Sequence, residues 1–255
     1  MIPRRVALAL GALLAATGCL KISEPGSGVF TLSELKLPWP SVVVNDTLRD
    51  STGRAAPLRV IGVTAAGDTV DDAPTWVVLD RGLHVTAQGF VIGDSIRSGA
   101  RLVGQVGGLQ SPVATLLVVP APVLARAEPA TIAPVTWKRA LGDTSHVASP
   151  GLGVRVLGGG DPAPGVGGWI VSYTILSQPA PVGDSPAAYL GDGVNRRTAT
   201  DTTDASGLAS RVVVLRPVAA STTGADTVVV QATVRYRGSD VPGSPVLFTV
   251  PFRRQ

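Results

Sequence analysis

The sequence predicts an all-β protein made of two antiparallel β-sandwiches in tandem behind a short apolar leader, and three observations predict it. Apolar residues recur with period two, and nowhere after the leader do they keep the three-and-four spacing of an amphipathic helix. The alternating runs are short and separated by Gly, Pro, Ser and Asp clusters, as antiparallel strands joined by tight turns require. Composition agrees: 45% of residues are hydrophobic, mostly Val, Ala and Leu, only 4% are aromatic, and there are 30 Gly and 21 Pro. That is enough apolar surface to offset chain entropy, which a disordered composition lacks.

Residues 1 to 18 read as a secretory signal. Arg4 and Arg5 supply the charged start, Val6 to Ala16 the apolar stretch, and Ala16, Thr17 and Gly18 the small residues before a cut. Cys19, the only cysteine in the 255 residues, follows at once. This layout resembles a bacterial lipoprotein signal, with Ala16, Thr17 and Gly18 as the lipobox and Ala16 standing where that family usually places Leu. The resemblance implies a diacylglycerol thioether on Cys19, cleavage before it and acylation of the new amino terminus. The protein's partner would then be a membrane, held through covalent lipid, with each buried CH₂ contributing about 0.8 kcal/mol; no other cofactor is expected. Leu20, with no Asp at that position, implies the outer membrane by similarity to enterobacterial sorting.

Two alternatives read the same run as a transmembrane anchor or as plain secretion with an incidental cysteine. The run is about half of the ~20 apolar residues that span hydrocarbon. A lone cysteine makes no internal disulfide, which suits lipidation better than a disulfide-stapled secreted fold. Removing 18 of 255 residues leaves 237, a length for two ordinary domains, and losing Arg4 and Arg5 lowers the formal charge from +4 to +2. No basic stripe remains. Arg196-Arg197 and Arg253-Arg254 stand as isolated pairs in the sequence, so no nucleic-acid partner is expected.

Residues 19 to 28 are polar with Gly, Pro and Ser, a tether. In the first sandwich, 29 to 119, the expected strands are Ser41 to Val44, Pro57 to Thr64, Thr75 to Leu79, His84 to Thr86, Ala100 to Val106 and Val113 to Val119. Pro120-Ala121-Pro122 is the expected linker, stiff because proline restricts the backbone and joins no ladder. In the second sandwich, 123 to 255, Trp169, Val171, Tyr173 and Ile175 share one face with Ser172 and Thr174 opposite. Thr227 to Arg237 alternates as one strand with Val228, Val230, Ala232, Val234 and Tyr236 inward, and Val246, Phe248, Val250 and Phe252 form a third inward face. Turns are marked by Gly158 to Pro162, Asp192-Gly193, Ala205-Ser206-Gly207, and Ser239-Asp240 before Pro242-Gly243.

Val154-Arg155-Val156, Pro162-Ala163-Pro164-Gly165-Val166, the run through Trp169 and Tyr173, Thr203-Asp204-Ala205-Ser206-Gly207-Leu208-Ala209 and the run from Val228 together resemble a bacterial immunoglobulin-like domain of the invasin and intimin type over most of 120 to 255. An insertion between Gln178 and Arg197 departs from that pattern. More faintly, Thr75-Trp76, Leu83 to Thr86, Gly89-Phe90-Val91 and Val113 to Val119 resemble the second bacterial immunoglobulin-like group. The resemblance implies two immunoglobulin-like sandwiches of a kind found in surface adhesins and envelope proteins, and it implies fold more than function.

The residues behind these motifs have structural explanations. Asp204 and Gly207 form a turn in which an Asp side chain meets backbone amides and a Gly takes positive φ. Trp76, Trp169 and Tyr173 lie within alternating runs and read as core aromatics, although an aromatic face also suits sugar stacking. Trp39, between Pro38 and Pro40, and Trp137 are less clearly inward. Phe90 to Ile96 resembles the nucleophile block of GDSL-type esterases, and Asp143-Thr144-Ser145-His146 echoes their Asp and His block. That family's α/β fold is not predicted, and Ser95 and His146 fall in different sandwiches, so no catalytic residue is assigned. His84 and His146 lie far apart and make no zinc set, so no metal is expected. Asp71-Asp72, Asp192, Asp201 and Asp204 sit in expected loops without a calcium-binding spacing.

The resulting expectation is a non-catalytic, envelope-anchored lipoprotein acting as a structural spacer or adhesive module with an envelope protein or glycan partner. The alternative is a carbohydrate-binding or accessory subunit of an envelope secretion or polysaccharide-handling complex.

Overall fold

The computed structural model describes residues 30–64, 69–70, 73–137, 146–180, 185–194, 196–216 and 225–254. Cys19 and the lipobox residues Ala16, Thr17 and Gly18 lie outside them, as do Asp71, Asp72 and Asp143. Every regular element described is a strand.

The N-terminal half holds β1 (Phe30–Lys36), β2 (Ser41–Val43), β3 (Arg59–Thr64), β4 (Thr69–Val70), β5 (Thr75–Val78), β6 (Leu83–Val85), β7 (Val91–Gly93), β8 (Arg97–Val106), β9 (Leu109–Gln110) and β10 (Ala114–Val119). The C-terminal half holds β11 (Pro122–Ala127), β12 (Val135–Trp137), β13 (Val147–Ala148), β14 (Leu152–Gly158), β15 (Ile170–Ser177), β16 (Ala188–Gly191), β17 (Thr200–Thr202), β18 (Leu208–Leu215), β19 (Ala225–Thr233), β20 (Arg235–Tyr236), β21 (Ser239–Asp240) and β22 (Val246–Arg254). No strand ladder joins a strand of one half to a strand of the other.

Both halves use the same construction. In the first, the β1-β3-β4 sheet faces the β2-β10-β8-β5 sheet, with Leu35, Leu58, Leu102, Leu116 and Val118 buried between them and the β6-β7 hairpin closing one side. In the second, the β11-β14-β18-β13 sheet, with β16 also on β18, faces β12-β22-β19-β15-β17, and Val154, Val156, Val213, Tyr173, Val230 and Phe248 interdigitate. Period-two alternation produces this directly, since each strand sends alternate side chains to the shared core.

The ladders are antiparallel with two exceptions, which correct the purely antiparallel expectation: β2 runs parallel to β10, and β12 parallel to β22. In each half the opening segment first pairs antiparallel with one sheet (β1 on β3, β11 on β14) and then crosses to lie beside the final strand of the other. The crossing ties the two sheets of each sandwich together, and the parallel pair follows because first and last strands then run in one direction.

Two further expectations change. Pro122 belongs to β11, opposite Gly158, so the linker between strands is Pro120-Ala121. A proline is accommodated there because it opens a strand at the edge of its sheet. The single strand expected from Thr227 to Arg237 ends at Thr233; the chain then leaves the sheet as the β20-β21 hairpin, so Ser239-Asp240 is strand and the turn is Arg237-Gly238. Both turn residues have positive φ, 52° and 80°, the requirement of a two-residue hairpin turn. A strand the sequence does not mark, β18, is central in its sheet although its Val212-Val213-Val214-Leu215 run does not alternate: Val213 and Leu215 face the core, and Val212 and Val214 are half-buried on the outer face.

Candidate functional site

Five residues brought together from both halves make the most organised polar site among the described residues, at the joint between the sandwiches. Asn45, with φ 58°, turns the chain after β2 and sets Asp46 inward, where its side chain is 7% exposed. Arg49 binds it bidentately, Nη2 to Oδ1 at 2.9 Å and Nε to Oδ2 at 3.0 Å, and the Thr47 amide donates to Oδ1 at 2.8 Å. The other donors come from the β20-β21 hairpin, 190 and 191 residues away: the Tyr236 hydroxyl donates to Oδ2 at 2.7 Å and Arg237 Nε at 3.0 Å. Burial alone would raise the Asp46 carboxyl, but the hydrogen bonds from Arg49, Arg237, Tyr236 and Thr47 outweigh it and hold the carboxyl well below the usual carboxylate range. The same burial, with the Asp46 charge beside it, pushes the Tyr236 hydroxyl up to about 12, so it stays a donor.

Beside this cluster, three aromatics cross the joint. Trp39, from the segment ahead of β2, meets Trp169 edge-on with centroids 5.9 Å apart, and Trp169 meets Tyr236 at 5.8 Å. Edge-to-face pairs at these separations add attraction beyond the area they bury. Trp169 Nε1 donates to the Arg235 carbonyl at 3.2 Å, and Ser41 Oγ donates to the Gly168 carbonyl at 3.0 Å. Backbones meet closely as well. Gly53, at φ +83°, lies so near the hairpin that a Cβ there would stand 2.0 Å from Gly238 N, and one on Gly168 would stand 2.4 Å from Leu117 Cδ1. Gly53→Ala is expected to cost at least the roughly 1–3 kcal/mol of a left-handed non-glycine. A lowered urea midpoint with unchanged secondary structure by circular dichroism is the check.

The other residues singled out in the sequence fall elsewhere. Trp169 is 5% and Tyr173 2% exposed, with the Tyr173 hydroxyl donating to the Leu152 and Ala209 carbonyls at 3.1 and 3.2 Å; burial raises its pKa above the ordinary range. Trp76 is half-buried against the first core. Asp204 Oδ1 accepts from the Ser206 amide, the Ser206 hydroxyl and the Leu208 amide at 2.8, 2.7 and 3.0 Å, and Gly207 takes φ +82°. The Ser206 hydroxyl, followed by the Leu208 amide, lowers the Asp204 pKa against a smaller opposing effect of burial. Ser95 is exposed in the loop after β7, while His146, in the other half, has its ring against Tyr189. His84 instead pairs with Asp94, Nδ1 to Oδ1 at 2.8 Å. Among the described residues no three His, Cys, Asp or Glu side chains gather as a metal set.

Asp46, Arg49 and Arg237 were not singled out in the sequence, because each looks like an ordinary surface charge until the hairpin returns. The sequence signals nearby are aromatic: Trp39 held between two prolines, and Trp169 and Tyr236, which alternation alone reads as core.

No protein-family model and no curated protein matches the sequence. Among solved structures, the chain is similar to the S-layer protein SbsC at 15% identity and TM-score 0.31, covering 88% of this chain and 28% of that one. It is similar to an endo-fucoidan hydrolase of glycoside hydrolase family 107 at 12% identity and TM-score 0.35, covering 88% and 30%, and to the Escherichia coli adhesin FdeC at 13% identity and TM-score 0.26, covering 87% and 62%. The chain thus spans less than two thirds of each of these proteins, and the all-β class rests on the strand order described above.

Proposed function

We propose that the chain is a non-catalytic, lipid-anchored envelope protein whose two sandwiches act as one stiff spacer or adhesive module. The observation that carries the reading is the joint. A two-residue connection, a buried carboxylate with donors from both halves, three edge-on aromatics and two close glycine approaches leave little freedom between the sandwiches. A catalytic or ligand-gated protein gains from mobility between its parts, whereas a spacer transmits position and force through a fixed one. Lipid on Cys19 supplies the anchor in this reading, and residues 20 to 28 the tether.

Two measurements test it. Spin labels on cysteines introduced at Leu109 and Val194, exposed positions in opposite halves, in a Cys19→Ser background, are expected to give one narrow distance distribution. A broad distribution would contradict the stiff-spacer reading. Separately, Cys19→Ala is expected to abolish lipid labelling and release processed protein from membranes. Retention on membranes like the wild type removes the lipid anchor from the proposal and leaves the joint untouched.

A further inference from the structure

The insertion between Gln178 and Arg197 that departs from the family pattern builds a surface pocket. Its strand β16 pairs with β18, Tyr189 opposite Val214 and Gly191 opposite Val212. Val213 and Leu215 of β18 point into the core, so Val212, Val214 and Tyr189 stand on the outer face of the sheet. The turn after β16 is held by Asp192, whose Oδ1 accepts the Val194 and Arg196 amides at 2.8 and 3.1 Å. That carboxylate is thereby committed to its own turn, and the turn delivers Arg196 to the pocket wall and Arg197 to the ring of Tyr189, which lines the pocket.

Around Tyr189 the side chains are cationic or aromatic. The Arg197 guanidinium carbon lies 4.4 Å from the ring centroid and that of Arg216 5.7 Å, and the His146 ring meets Tyr189 edge-on at 6.0 Å. Arg196, His146 and Tyr189 line a small cavity of about 150 Å³ floored by Val212 and Val214. None of Arg196, Arg197 and Arg216 has a carboxylate partner among the described residues, whereas Arg211 of β18 pairs with Asp201 at 2.9 Å. Arg216 Nε is buried with no acceptor.

Arginines gathered without a counter-charge repel one another. Here a tyrosine ring holds two of them by cation–π attraction, which fixes their planar forks in place before any anion arrives. A pre-oriented guanidinium is the strongest side-chain partner for a carboxylate or sulfate oxygen. The apolar floor fits the CH face of a sugar ring, with the rest of a chain lying outside this shallow pocket. We propose that this pocket binds an acidic saccharide, with its carboxylate or sulfate taken by Arg196, Arg197 and Arg216 and its ring resting on Val212 and Val214. The site is independent of the anchor and of the joint.

The test measures binding of purified protein to polygalacturonate, dextran sulfate, neutral dextran, phosphatidylglycerol vesicles and duplex DNA at low and high salt. Binding to one or both acidic polysaccharides, absent for neutral dextran and weakened by salt, is expected. Arg196→Ala/Arg197→Ala, both exposed, is expected to lose about tenfold or more in affinity with an unchanged melting temperature, and Arg216→Gln provides a second, independent loss. Arg253→Ala, an exposed cation far along the chain, is expected to bind as the wild type does. The proposal is overturned if neither acidic polysaccharide binds, if Arg253→Ala loses as much as the pocket variants, or if vesicles or DNA bind more tightly than both polysaccharides through the same arginines.

Discussion

Trp169→Ala is expected to lower the unfolding free energy by about 3–5 kcal/mol, the range for removing a large buried aromatic. The residue is 5% exposed and has two roles. It packs with Val171 and Tyr173 in the second core, and it touches Trp39 and Tyr236 across the joint. The cavity therefore opens where the sandwiches meet, and its walls come from both. Trp39 loses its edge-on partner, and the Arg235 carbonyl loses the indole N–H that fixes the start of the hairpin. Against a typical margin of about 5–15 kcal/mol this is a large fraction of stability. Urea unfolding followed by far-ultraviolet circular dichroism measures it without relying on the deleted fluorophore. A shift equivalent to less than about 1 kcal/mol would show that the site relaxes around the loss and that Trp169 packs less than its burial indicates.

How far the sequence reveals this site depends on which residues act locally. Alternation in Val228 to Ala232 and in Val246 to Phe252 shows the inward faces directly, because a strand's period is a property of the chain itself. The Asp204 to Leu208 turn is equally local: its acceptor and its donors lie within four residues. The joint is not local. Tyr236 continues the alternation of β19 and so reads as one more core residue, yet the strand ends at Thr233 and the hairpin carries Tyr236 and Arg237 to Asp46. What ends the strand is tertiary: the Val234 amide donates to Ser244 Oγ at 2.9 Å, and its carbonyl accepts from Val241 at 3.0 Å. β1 is similar. Phe30 to Lys36 shows little contrast between its faces, and only its partner β3 makes it a strand. The β16 pocket was marked in the sequence solely as a departure from a pattern, and the arginine pair looked isolated because Arg216 and Tyr189 join it only through the β16-β18 ladder.

Asp46→Ala is expected to cost about 2–3 kcal/mol and to loosen the joint itself. Removing one partner of a fully buried ion pair costs about 3–5 kcal/mol, because the other charge is left without water or counter-charge. Here the remaining charges keep some water, Arg49 being 27% and Arg237 55% exposed, which places the loss below that range. What remains is substantial, since five hydrogen bonds end on one carboxylate and even a single hydrogen bond to a charged group contributes about 1.5–3 kcal/mol net. Tyr236→Phe deletes one of the two donors that come from the hairpin and leaves Arg237 in place. A double-mutant cycle between the two is expected to show coupling of about 1 kcal/mol or more across the joint. Near-additivity would mean that the Asp46–Tyr236 hydrogen bond does not couple the two halves. The sign with pH follows from the lowered Asp46 pKa. A carboxyl depressed in the folded state contributes its stability in full above its unfolded value of about 3.9, and that contribution falls away as pH drops below it toward the depressed value. Wild type should therefore lose stability on acidification through that window more steeply than Asp46→Asn, which has no proton to take up. The same spin-label pair that reports the joint's stiffness should broaden in Asp46→Ala at neutral pH and in wild type only at strongly acidic pH. If the two stability curves run parallel below about pH 4, the Asp46 cluster does not bind the sandwiches together.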